Sequence, residues 1–204
     1  MNKGRKGNYH KTKSSRKFRW HDGQGRQLTA GGMLPYDANG VWLIGERDRE
    51  SNDIKWTDMG GKYEFEDGDI FKTIAREVGE ELYHSSELLR SDILYFSKKY
   101  PPIYVKGHQK IPVYVCYPIP TSELMRRGFF LDPILFLENR QNVLLSNPTV
   151  PIYYYPSVKL DYFSFHTLRK ALHNEPGTTI LKFRLRSILK HFLPRIKKLE
   201  IEEN

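Results

Sequence analysis

The sequence predicts an α/β fold with a basic N-terminal tail and a C-terminal helical extension. Three observations carry that expectation. Apolar runs at 30–36 and 41–47 flank Asp37-Ala38-Asn39-Gly40, and Asn-Gly between two such runs signals a hairpin. The glycine turn Gly60-Gly61-Lys62-Tyr63-Glu64 then leads into a segment of helical period. Near the other end a second helical pattern aligns Ile180, Leu181, Leu185, Ile188, Leu189 and Phe192 in one stripe.

In chain order, strands are expected near 28–35 and 41–47. A charged loop follows to Lys55, and Trp56-Thr57-Asp58-Met59 enters the glycine turn. Asp69 is placed as the N-cap of a helix whose Ile70, Ile74, Val78 and Leu82 share a buried face. Gly79 costs that helix about 1 kcal/mol relative to alanine. Ile93–Phe96 and Ile103–Val105 read as strands around the Pro101-Pro102 break, and 111–117 as a third, with Pro112 marking its start or an edge. Thr121–Met125 reads as an N-cap and first helical turn, and Phe136-Leu137-Glu138-Asn139 as part of a loop. Pro151–Tyr155 is an extended aromatic run. Helices are expected over 164–173 and 178–192, the second ended by Pro194.

A chain of 204 residues buries one good core, so one domain with extensions is expected. The reading is a disordered tail over 1–26, a catalytic domain over 27–160, and a basic helical extension over 161–204 packed on that domain. No run of 18 apolar residues exists, which argues against a membrane span, and the basic start has no apolar secretory region. The single cysteine, Cys116, allows neither an intrachain disulfide nor a cysteine metal site, and reads as a small packed residue. An intracellular, cytoplasmic setting is the expectation.

The net charge of +9 is uneven. Residues 1–20 hold eight Lys or Arg and no acid, and 168–198 hold nine against Glu175 alone. The body, 21–167, has 16 basic and 20 acidic residues. Basic ends on a mildly acidic body suggest a polyanionic substrate or partner, with RNA the first candidate. Trp20, Tyr36, Trp42, Tyr104 and Tyr153 are candidates for stacking on a base. Oligomeric state is not legible.

The chemistry concentrates in Ala75-Arg76-Glu77-Val78-Gly79-Glu80-Glu81-Leu82. At 3.6 residues per turn, Glu77, Glu80 and Glu81 project from one helical face. Like charges so close need a counter-charge, and hard carboxylate oxygens suit Mg²⁺ or Mn²⁺. Metal-assisted attack on a phosphorus–oxygen bond is the chemistry such a cluster supports. A bare E-x-x-E-E is usually a solvated face; the glycine turn upstream changes that reading.

Together these residues resemble the Nudix box, G-x5-E-x7-R-E-U-x-E-E-x-G-U, with U aliphatic. Arg76, Glu77, Val78, Glu80 and Glu81 match R-E-U-x-E-E, and Gly60-Gly61-Lys62-x-Glu64 resembles the usual opening turn. The middle departs from the pattern. Gly68 stands where Glu is expected, between Asp67 and Asp69, and Gly61 lies 15 residues before Arg76 instead of 14. A one-residue insertion accounts for both. Tyr83 and His84 stand where the pattern has Gly and an aliphatic residue.

The resemblance implies an α/β/α sandwich with a mixed sheet, and cleavage of a pyrophosphate linkage between a nucleoside diphosphate and another moiety. It implies Mg²⁺ or Mn²⁺ held by Glu77, Glu80, Glu81 and the Gly60 carbonyl, with Arg76 fixing a glutamate through a bidentate pair. Glu80 or a later acid, with Glu138 preferred, is the general base. Lys62 meets a substrate phosphate, Glu64 fixes the turn, and Asp67 or Asp69 replaces the missing acid. The basic ends favour the mRNA 5′ cap as substrate, with release of m7GDP. The alternatives are a small nucleotide (a dinucleoside polyphosphate, nucleotide sugar or oxidised nucleotide) and a catalytically weak RNA-binding module.

Overall fold

The computed structural model describes residues 20–83, 88–106, 112–149 and 156–202. The described residues begin inside the tail expected over 1–26. β1 (Trp20–His21) and β2 (Gln27–Leu28) form an antiparallel hairpin. Asp22 accepts the N–H groups of Gln24 and Arg26, and the Arg26 guanidinium lies 3.8 Å from the Tyr104 ring centroid. Buried Leu28 anchors the returning strand. The rest of that tail, 1–19, lies outside the described residues.

The expected hairpin joins β3 (Ala30–Tyr36) to β4 (Gly40–Arg47). Asp37 organises its tip by accepting the N–H groups of Asn39 and Gly40. β5 (Ile54–Thr57) returns along β4, and β6 (Met59–Lys62) crosses to pair with β3. With β7 (Ile103–Lys106), β8 (Pro112–Pro120) and β9 (Ser157–Ser164) these make a seven-stranded mixed sheet. Among the described strands, β3 and β8 pair parallel and the other pairs are antiparallel. β8 opens on Pro112 as expected. β9 runs antiparallel to β4 along almost its whole length. The expected extension from 161 therefore begins inside a strand of the sheet.

Helices cover both faces. The period-2 alternation of the strands decides which side chain goes where. Met33, Ile44 and Val115 point to one side, where α1 (Ile70–Leu82) lays down Ile70, Ile74, Val78 and Leu82. α2 (Arg90–Lys99), α3 (Thr121–Arg126) and α4 (Pro133–Ser146) complete that layer through Ile93, Phe96, Leu124 and Phe136. Leu34, Leu43 and Cys116 point to the other side, against α5 (Phe165–Leu172) and α6 (Phe183–Glu202). No helix among the described residues is long and apolar enough to cross a membrane.

Four segments differ from the sequence expectation. Ile93–Phe96 lies in α2 and is not a strand. Ile93 and Phe96 are buried at i and i+3, Asp92 accepts the Leu89 N–H, and Lys98 and Lys99 complement the last turn. A four-residue apolar run cannot separate the two periods. Glu138 sits in α4, which Asp132 caps by accepting from Ile134 and Leu135 and which has Pro133 at its first position. β9 occupies 157–164, a stretch for which the sequence suggests no element, while the aromatic run 151–155 lies outside the described residues. Finally, α6 starts five residues later than expected and runs through Pro194. Residues 180–182 instead extend the sheet: Trp56 donates to the Ile180 carbonyl and Lys182 to the Trp56 carbonyl, each at 2.9 Å. Pro194 is on the exposed side of α6, and buried Ile196 with the Arg195 bonds to Pro101 and Pro102 carries the helix past it.

The C-terminal helix is thus core. Leu185, Ile188 and Leu189 are fully enclosed. Leu189→Ala should cost about 2–5 kcal/mol in urea unfolding, the range for an enclosed leucine, where a solvated arm would cost almost nothing. Gly79 has no neighbour that an added Cβ would meet, and nothing in the structure explains a glycine there. Gly79→Ala should raise the unfolding midpoint, by up to about 1 kcal/mol in stability.

Candidate active site

The site is built where two glycine pairs let strands and helix meet. In the β3–β6 register Gly31 faces Gly61 and Gly32 faces Gly60. A Cβ on Gly60 would lie 2.3 Å from the Gly31 carbonyl oxygen, and one on Gly61 would lie 1.9 Å from Glu77 Oε2. Gly60 also holds φ +150°, a conformation side chains rarely adopt. Absence of a side chain at 61 leaves a cradle that the Glu77 carboxylate fills. The Gly60 N–H donates to Glu81 Oε2 at 2.7 Å. Two of the three helix acids therefore sit directly against the turn.

Arg76 is the hub of the acids. Its Nε and one terminal nitrogen form the bidentate pair with Asp67, at 2.9 and 3.0 Å. The same terminal nitrogen reaches the Lys62 carbonyl at 2.9 Å. The other bonds Glu77 Oε1 at 3.0 Å and Glu80 at 3.2 Å. The bidentate partner of Arg76 is thus Asp67, one residue before the position where the pattern has Glu. A 3₁₀ turn over Phe65–Asp67, followed by Gly68 at φ +74°, absorbs the extra residue. Thr73 and the Glu64 N–H also donate to Asp67. Asp69 serves elsewhere, capping α1 through the Lys72 N–H and pairing with Arg90. α1 ends on Tyr83, whose φ of +53° is the left-handed cap that glycine normally supplies.

Electrostatics follow burial. Burial pushes the Glu77 carboxyl above its usual range, with Arg76 opposing and Glu80 adding to the rise. Burial raises Glu81 well above it, against the pull of Arg184. Burial also works on Asp67, but the Arg76 fork, the Glu64 N–H and the Thr73 hydroxyl outweigh it and hold this carboxyl low.

Sequence reasoning missed the other half of the site. Asp58, fully enclosed, accepts from Arg184 Nε at 2.8 Å and from the Tyr114 hydroxyl at 2.5 Å. A terminal nitrogen of Arg184 donates to Thr57 Oγ1, to the Asp58 carbonyl and, at 3.0 Å, to the Gly60 carbonyl. The guanidinium lies 4.5 Å from the Tyr114 ring centroid. Burial raises the Tyr114 phenol well above its usual range, so its O–H is the donor to Asp58. Arg184 looked like part of a polar helix face. The usable signal was Asp58 itself, an acid between Trp56-Thr57 and Met59 in a strand, which needs a buried partner.

The remaining candidates scatter. Lys62 and Glu64 are exposed beside the turn, and Glu80 is the most open of the acids, its side chain 60% accessible. Glu138 is exposed on α4. Tyr36 packs edge-on against Phe192, Trp42 against Tyr162 and Trp20 against Phe71, while Tyr104 carries Arg26. Tyr153 lies outside the described residues. Among the basic residues of 168–198, Lys182 pairs with Glu46, Arg184 with Asp58, Arg186 with the Ala171 and Leu172 carbonyls, and Arg195 with the Pro101 and Pro102 carbonyls. Arg169, Lys170, Lys190 and Arg195 are exposed.

The donor set suits a hard divalent cation: three carboxylates on one helical face, one filling the Gly61 cradle and one bonded to Gly60. Among the described residues no three acids converge as a ready cage. Glu77 turns one carboxylate oxygen to Arg76, and Glu80 meets the same guanidinium at 3.2 Å.

The lowered pKa of Asp67 stabilises the fold above the unfolded-state value near 3.8, and that contribution is lost as pH falls through the lower folded value. Asp67→Asn should lower stability at neutral pH by on the order of 1–3 kcal/mol. Urea unfolding across pH should show its deficit shrinking below pH about 4.

No family profile matches this sequence, and no curated protein aligns with it. Among solved structures the chain is similar to a NUDIX hydrolase from Nitrosomonas europaea, at 15% sequence identity and a TM-score of 0.41, over 82% of this chain and 90% of that one. A likeness of that size leaves the assignment to the site's own chemistry.

Proposed function

We propose that the chain is a Nudix-type hydrolase that uses Mg²⁺ or Mn²⁺ to cleave the pyrophosphate linkage of a nucleoside diphosphate joined to another moiety. One observation carries the reading. The acids Glu77 and Glu81 are seated against Gly61 and Gly60, with Arg76 locked to Asp67 behind them. A solvated acidic face would need neither the cradle nor the lock.

In this reading Glu77, Glu80, Glu81 and the Gly60 carbonyl hold the cation. When bound, it neutralises the diphosphate and lowers the pKa of a water. Arg76 fixes Glu77, and its hold on Asp67 keeps the 3₁₀ turn in register with α1. Glu80, the most accessible acid, takes the proton of the attacking water. The water oxygen bonds to phosphorus, and the bridging phosphorus–oxygen bond breaks to leave two phosphate products. Exposed Lys62 at the end of β6 meets a phosphate oxygen. Glu138 stands as the second candidate base, on a different element.

For the moiety beyond the diphosphate, a capped RNA draws support from the eight basic residues among the first twenty and from exposed Arg169, Lys170 and Lys190. Lys182, Arg184 and Arg186 are used within the fold and add nothing to this reading.

The test is product analysis with Mn²⁺ on cap-labelled RNA and a panel of free nucleotides. Glu77→Gln, Glu80→Gln and Glu81→Gln should each lower kcat on the order of 10²-fold or more, and a chelator should abolish turnover. Glu138→Gln assigns the base: a loss as large as that of Glu80→Gln moves the role to α4. Turnover unaffected by all three helix variants would sink the hydrolase reading.

A further inference from the structure

We infer that Arg184 is a positioning residue for the cation site, acting on Gly60 from the C-terminal helix. The inference rests on the hydrolase reading and adds a residue from outside the acidic helix and its turn. Gly60 has no side chain, and at φ +150° it holds a conformation that other residues rarely adopt. Its two polar groups are clamped from opposite sides. Glu81 of α1 takes the N–H at 2.7 Å, and Arg184 of α6 holds the carbonyl at 3.0 Å. These are two of the oxygen donors assigned to the cation, and both are aimed through this one residue.

The arrangement does not oppose a cation. A carbonyl oxygen has two lone pairs, so accepting from Arg184 leaves one for a metal. The guanidinium charge is matched by fully buried Asp58 at 2.8 Å. Its plane rests on the Tyr114 ring, and one terminal nitrogen spans Thr57, Asp58 and Gly60. Lysine offers a single ammonium and no planar fork, so it cannot hold the ring and these acceptors together. Delivery of Arg184 depends on residues 180–182, which pair with Trp56 and place Lys182 beside Glu46.

Partners that aim metal ligands from behind typically change affinity by about 10–100-fold when removed. The test measures Mn²⁺ affinity directly, from the electron paramagnetic resonance signal of free Mn²⁺ during titration, without turnover. Wild type is compared with Arg184→Lys and with Arg186→Lys, which loosens α6 at the Ala171 and Leu172 carbonyls and leaves Gly60 untouched. Arg184→Lys should weaken Mn²⁺ by about 10-fold or more, while Arg186→Lys keeps the wild-type affinity even where both lower Tm. Equal affinities for wild type and Arg184→Lys overturn the inference and leave the hydrolase reading standing. So does equal weakening by both variants, which makes the effect one of helix anchoring. A wild type that binds no Mn²⁺ overturns the hydrolase reading itself. Should Arg184→Lys fail to fold, Asp58→Asn loosens the same guanidinium at nearly constant shape, with a smaller loss of affinity expected and wild-type affinity counting against the inference.

Discussion

The ion pair between Arg184 and Asp58 is the constraint around which this molecule is arranged. Asp58 is fully enclosed, and an enclosed carboxylate without a cation is among the most destabilising features a fold can contain. Its surroundings are correspondingly complete: a guanidinium, a phenol and a threonine hydroxyl meet its two oxygens. No buried side-chain polar atom among the described residues lacks a partner. The pair ties the strand that enters the glycine turn to β8 through Tyr114 and to the second helical layer through α6. It accounts for why a helix at the far end of the chain is core.

Arg76 repeats the arrangement on the other side of the turn. It holds three acids and a carbonyl together, with Asp67 bidentate. Two arginines from different helices thus bracket a four-residue strand, one neutralising acids of the helix face and the other neutralising an acid beneath the sheet. Glu77 and Glu80 are tolerated side by side because Arg76 is their resident counter-charge, while buried Glu81 rests on the Gly60 N–H within the field of Arg184.

Local patterns were legible wherever a short window held the whole cause. Asp69 as cap, the apolar face Ile70–Leu82 and the Asn39-Gly40 hairpin depend on neighbours within a few residues, and the structure has them where the spacing predicts. The failures have physical reasons. Ile93–Phe96 is apolar on both readings, and only the capping and charges of its flanks favour a helix. Pro194 predicts a helix end by its missing donor, but packing of Ile196 overrides that loss. The 3₁₀ turn let Asp67 serve from a position that spacing alone disfavoured. Arg184 was illegible because nothing near it in sequence needs a guanidinium. The group that does need one is 126 residues away.

That separation governs how the site is assembled as the chain is made. Every residue of the turn and of the acidic helix has been synthesised by position 82, yet the guanidinium that grips the Gly60 carbonyl comes 124 residues after Gly60. A nascent chain stopped before α6 carries the full acidic motif together with an Asp58 that has no arginine to meet it. Translation therefore delivers the recognisable part of this protein first and the part that settles its geometry last.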